Sequence, residues 1–121
     1  MLEKLKENIT LENIELSETF DIRSLTDTSI IDFNIVIKNS VLKSIKGEYL
    51  QFNQKIEFEN CRIESLSFQG VIINSTFVIK NCEILSFVDL SCSVFESNDK
   101  HFIFENNIFN NVITFEDCNF R

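Results

Sequence analysis

Proline and tryptophan are absent from the 121 residues, glycine occurs twice and histidine once. Each shortage removes a class of explanation. Two isolated glycines, Gly47 and Gly70, cannot build a phosphate-cradling loop, so nucleotide binding by that route is excluded. A single histidine, His101, leaves Ser-His-Asp or Cys-His catalysis with one residue to draw on, in the least regular part of the chain. The N-terminus has no apolar stretch of the kind a secretion signal needs, and no run approaches the length of a membrane span. A soluble, cytoplasmic protein is the expectation. Cys61, Cys82, Cys92 and Cys118 include no Cys-x-x-Cys pair, so neither a zinc site nor a disulfide framework is expected, and no cofactor is implied.

What is present is acid and strand-forming residues. Nineteen acids face eleven bases, a formal net charge of −8, which opposes direct binding of nucleic acid or anionic membrane and suits a partner with a basic surface. Ile, Val and Phe are abundant, which favours strands, and without proline the turns must fall to Asn, Asp and Ser.

One five-residue block returns six times: ITLEN (9–13), IVIKN (35–39), IEFEN (56–60), FVIKN (77–81), FIFEN (102–106) and ITFED (113–117). The starts lie 26, 21, 21, 25 and 11 residues apart, mostly multiples of five plus one, with single-residue slips at Asn34, Lys55, Thr76 and Val112. A second pentad follows each block, small at its first position and apolar at its third: SVL (40–42), CRI (61–63), CEI (82–84), NIF (107–109) and CNF (118–120), with IEL (14–16) less typical. Four pentads fill each of the turns 35–55 and 56–76, which implies a square coil.

These blocks resemble the pentapeptide-repeat family, most closely at CNF (118–120), and depart from it where Ile or Phe replaces the family's small residue in the first pentad. The resemblance implies an all-β fold: a right-handed, quadrilateral parallel β-helix of four to five coils over residues 9–121. Residues 1–8 place Leu2 and Leu5 at helical spacing and read as a short capping helix.

In such a solenoid each alignment column becomes a ladder up one face. Positions 1 and 3 fill the interior. Position 5, read as Asn13, Asn39, Asn60, Asn81, Asn106 and Asp117, becomes a corner column of side chains able to bond turn backbone and one another. Position 4 alternates Glu12, Lys38, Glu59, Lys80 and Glu105, a solvated ladder of opposite charges. Position 2 puts Val78 and Ile103 side by side on the outside, a candidate apolar stripe. The pattern is poorest at 19–29 and 87–101, where Asp21, Thr26, Asp89 and Asp99 stand where the frame wants apolar residues. The polar segment 97–101 reads as a projecting loop.

Clustered carboxylates, Glu57 with Glu59 or Glu116 with Asp117, could in principle supply an acid and a base. Lys38 and Lys80 neutralise the first pair's surroundings, and the polysaccharide-cleaving β-helices are several times longer, so no catalytic residues are assigned. The expected function is non-catalytic binding of a protein. The family resemblance implies, for one of its classes, mimicry of DNA toward a topoisomerase. On that model the partner-binding residues are the outward acids Glu57, Glu59, Glu64, Glu83, Glu105 and Glu116. An immunity or antitoxin protein blocking a basic toxin, and a structural or assembly module, are the alternatives. Phe109, Phe115 and Phe120 in the last coil are expected to join two copies in a homodimer.

Overall fold

The computed structural model describes residues 8–96 and 102–120. They form a parallel β-solenoid of about five turns. The first wall is a sheet of Ile9–Glu12, Ile35–Lys38, Ile56–Glu59, Phe77–Lys80 and Phe102–Glu105, paired in register. Val41–Lys46 and Arg62–Ser67 supply the next two walls as single bent strands. Leu42 and Ile45, then Ile63 and Leu66, both point inward three residues apart, which strict alternation forbids and a bend permits. In the following coils the same stretch is cut in two: Glu83–Ile84 and Phe87–Asp89, then Ile108–Phe109 and Val112–Thr114. The fourth wall stacks Ile30–Ile31, Gln51–Phe52, Ile72–Ile73, Val94–Phe95 and Asn119–Phe120.

The five-residue frame explains the core. In the second coil Ile35, Ile37, Ser40, Leu42, Ile45, Leu50 and Phe52 are buried, and in the third Ile56, Phe58, Cys61, Ile63, Leu66, Phe68, Val71 and Ile73. These are positions 1 and 3 of successive pentads. Small residues at the first position of the second pentad accommodate the corner and cap it: the Ser40 hydroxyl donates to the Lys38 carbonyl, and the Cys61 and Cys82 thiols donate to the carbonyls of Glu59 and Lys80. In the last coil Asn107 takes this place, donating from Nδ2 to the Ile79 carbonyl and accepting the Cys82 N–H.

Asn13, Asn39, Asn60, Asn81 and Asn106 all adopt left-handed backbone, with φ between 52° and 56°. Asn tolerates that region better than other non-glycine residues, which is why it recurs where the first wall ends. The Asn60 amide donates to Asn39 Oδ1 at 2.7 Å, a rung of the expected ladder. The sixth block belongs elsewhere. Ile113 pairs with Val88 and Thr114 with Asp89, on the third wall, so Asp117 (φ 58°) lies not in the asparagine column but in a second left-handed column with Tyr49, Gly70 and Cys92. Every wall has the same pentad period, so likeness between blocks does not say which wall a block occupies.

Three further expectations are corrected. Val78 faces outward yet is 7% exposed, and Ile103 is half-buried, so position 2 forms no exposed stripe. Asp21 and Asp89 do not face the interior; their neighbours Ile22, Val88 and Leu90 do. Asp21 instead opens a single 3-10 turn, Ile22–Leu25, by accepting the Arg23 N–H, and Thr26 closes that turn, an element that the all-β reading with its one capping helix at 1–8 does not contain. Residues 1–7 of the expected capping helix at 1–8, and the loop 97–101 with Asp99 and His101, lie outside the described residues, while Asn8 is not helical and accepts the Asn34 N–H. No helix among the described residues is long and apolar enough to cross a membrane.

Candidate functional site

The solenoid places the six outward acids on several faces. Glu57 and Glu59 share the outside of the first wall, where Lys38 Nζ lies 3.9 Å from one and 3.8 Å from the other, and Lys55 Nζ lies 3.6 Å from Glu57. Glu64 and Glu83 stand on the second wall. Lys43, one coil earlier, reaches Glu64 at 3.3 Å, and Arg62 reaches Glu83 at 3.7 Å, while the Asn110 amide donates to Glu83 at 2.9 Å. Each pair is half in solvent and stabilises the fold by only about 0 to 1 kcal/mol, but together they cancel the field an acidic stripe would project. Glu105, opposite Lys80, and Glu116, at the corner of the third and fourth walls, are exposed. The six acids therefore form no single surface.

Elsewhere Arg23 gathers acids. Its guanidinium pairs with Asp21 at 2.9 Å and lies 3.4 Å from Glu48, whose other oxygen accepts the Ser67 hydroxyl at 2.7 Å. The Arg23 hydrogen bond holds the Asp21 carboxyl below the usual carboxylate range.

Charge is segregated along the solenoid axis. Up to Lys80 the sequence carries a net −3; from Asn81 onward seven acids face two bases, a net −5 in half as many residues. All seven described bases lie between Arg23 and Lys80.

Among the described residues the coils beyond Lys80 also hold five of the nine exposed large apolar side chains, the others being Ile30, Val41, Tyr49 and Ile72. The last coil's inward phenylalanines are only half-covered: Phe102, Phe104, Phe109 and Phe115 are intermediate, and Phe120 is 56% exposed. The structure brings Phe109, Phe115 and Phe120 into one aromatic floor. Phe104 lies 6.0 Å from Phe109 and 6.1 Å from Phe115, Phe115 lies 6.2 Å from Phe120, and Phe120 stacks on Phe95 at 4.8 Å. Around the corner of the second and third walls Leu85, Phe87, Ile108 and Val112 are exposed on the outside. Sequence reasoning did not single out these four: the pentad frame already turns Leu85 and Ile108 outward and marks Val112 as a slip, while the slip that exposes Phe87 was hidden because Phe87 and Val88 are both apolar and either could have filled the core.

At the corner of the first and second walls a shallow groove of about 480 Å³ runs along the asparagine column from Asn39 to Asn106, with Val41, Arg62, Glu83 and Ile108 on its other flank.

Cys61 and Cys82 are buried neighbours: their mutual hydrogen bond lowers the Cys61 thiol to about 7 and, with burial, holds the Cys82 thiol well above its ordinary range. Burial also raises Cys118, and Cys92 is exposed. Among the described residues no group of three His, Cys, Asp or Glu is placed to hold a metal ion. No protein-family model, curated protein or solved structure matches the chain.

Proposed function

We propose that this chain is a non-catalytic solenoid that binds a basic protein through its C-terminal third, the coils beyond Lys80. The charge segregation carries the reading: ion pairs satisfy the acids of the middle coils, while the coils beyond Lys80 combine excess acid with exposed apolar side chains. Complementary charge steers such an encounter, and apolar contact holds it. Inhibition of a DNA-acting enzyme and neutralisation of a basic toxin are both instances of this binding, and the captured partner's identity separates them. A DNA-like stripe draws no support from Glu57, Glu59, Glu64 and Glu83, each of which has a base within 4 Å.

The test is affinity capture from an extract of the source organism, with wild type and a Glu105→Gln/Glu116→Gln variant. Both side chains are exposed, so the variant is expected to fold normally. Wild type should retain a basic protein that raised salt releases, and the variant should retain it about thirtyfold less well, since each of the two lost charge contacts weakens binding by about 1 kcal/mol. Equal retention by both, with no salt dependence, would contradict the proposal.

A homodimer joined through Phe109, Phe115 and Phe120 is the second reading, favoured by the half-covered aromatic floor. It must overcome repulsion between the acidic rims of two identical coils. Light scattering at high micromolar concentration decides: dimer mass for wild type and monomer mass for Phe120→Glu support it, and a monomeric wild type removes it.

A further inference from the structure

We infer that the corner between the second and third walls, in the fourth and fifth coils, is the docking surface for an amphipathic protein segment: an apolar stripe flanked by Lys or Arg. The inference rests on the proposed function for the sign of the partner's charge, and on the local geometry for the place.

The geometry begins with the slip. Ile84 pairs with Ile63, 21 residues earlier, but Val88 pairs with Leu66, 22 residues earlier, so one extra residue is held between Ile84 and Val88. The extra residue pushes Phe87 outside, where it is 42% exposed, and leaves Leu85 37% exposed beside it. The fifth coil repeats the shape and extends the surface. Val112, opposite Phe87, is 57% exposed, and Ile108, opposite Glu83, is 59% exposed. The four side chains present on the order of 300 Å² of apolar surface, a size that commonly marks a functional patch.

In the middle coils Lys43 and Glu64 occupy the column that Leu85 continues, and they close on each other at 3.3 Å. In the column of Ile108 the second coil also places an exposed apolar residue, Val41, with Arg62 and Glu83 between them. The change to Leu85 and Phe87 coincides with the bulge.

Glu64 and Glu83 stand on the second-wall side, each with a base within 4 Å, and Asp89 follows Phe87 on the third wall, where it accepts the Ser91 N–H and hydroxyl. The sign of the partner's charge therefore comes from the net −5 of residues 81–121 and not from these border residues. An apolar strip in an acidic region complements an apolar stripe flanked by bases. A second copy would set acid against acid, and an anionic lipid surface would be repelled in the same way.

The probe is a synthetic helical peptide of leucine and lysine with its leucines on one face, compared with a peptide in which serine replaces leucine at equal charge. Fluorescence anisotropy should show saturable one-to-one binding of the leucine peptide and at least tenfold weaker binding of the serine peptide. A Phe87→Ser/Val112→Ser variant should bind the leucine peptide at least tenfold more weakly, and Ile108→Lys, a separate variant, should do the same by reversing the local charge. Glu64→Gln/Glu83→Gln should bind several-fold more weakly at low salt and show a flatter salt dependence. Ile30→Ser/Ile72→Ser, on the fourth wall at similar exposure, should bind as wild type does. Equal binding of both peptides, or an equal loss in the fourth-wall variant, would overturn the assignment. So would unaltered binding by both patch variants. Binding that follows the patch while extract capture fails leaves the surface standing and removes the basic-protein reading. Capture that survives Phe87→Ser/Val112→Ser does the reverse.

Discussion

A Phe58→Asp chain is expected not to fold. Phe58 is fully buried on the first wall, with Ile37 and Ile79 as its register neighbours and the Phe68 ring 6.4 Å away. Removing the ring alone costs about 3 to 5 kcal/mol. The carboxylate then sits in an apolar stack with no partner, which adds several kcal/mol more whether it stays charged or takes up a proton. Against a typical total of about 5 to 15 kcal/mol, that leaves little or nothing. Ile84→Asp on the second wall should behave alike, since Ile84 is 1% exposed. Circular dichroism and thermal melting check both, and wild-type-like transitions would show that these side chains do not face the axis.

Gly47→Leu is expected to be strongly destabilising, and a second substitution should partly relieve the clash. Gly47 occupies an interior position that Phe68 fills one coil later. A Cβ added to Gly47 would stand 2.7 Å from Phe68 Cε1 and 2.9 Å from Cδ1. That ring cannot retreat, because Phe52 at 5.9 Å, Phe58 at 6.4 Å and Phe77 at 5.8 Å surround it. Overpacking of this kind costs about 1 to 3 kcal/mol, and the branched Leu side chain puts the expected loss at the upper end. Phe68→Ala alone should cost about 3 to 5 kcal/mol through the cavity it leaves. In the double variant the leucine enters that cavity, so Gly47→Leu/Phe68→Ala should lose less than the two single losses added together, with a coupling of about 1 to 3 kcal/mol in a denaturant double-mutant cycle. Additive losses would mean that the two positions do not meet.

The middle coils were legible because each of their pentads obeys one rule. Between Ile35 and Ile73 positions 1 and 3 can be read off the residues, and the structure buries them. Likewise the Glu59 and Lys38 pairing follows from the 21-residue coil, and the same spacing joins Lys43 to Glu64 and Arg62 to Glu83. The failures share a cause: a repeat specifies direction along a strand but not which wall the strand occupies or what lies over it. Position 2 directs Val78 outward, yet that position does not tell how much of the side chain stays in water. A slip between two apolar residues, Phe87 and Val88, leaves no mark in the hydrophobic pattern while it moves a phenylalanine from core to surface. In the first coil the extra residues are absorbed by a 3-10 turn that Asp21 caps, a local hydrogen-bond device that a five-residue frame does not anticipate. For the binding surface the charge excess was legible and its neutralisation in the middle coils partly so. The apolar corner that gives the C-terminal third its character was not.

Backbone hydrogen exchange of the chain, alone and with the protein captured from extract, tests most directly that binding runs through this third. Added protection is expected in Glu83–Ile84, Phe87–Asp89, Ile108–Phe109 and Val112–Thr114, with Ile35–Lys38 and Ile56–Glu59 unchanged. Protection centred on the first wall of the middle coils, with the strands beyond Lys80 unaffected, would contradict it.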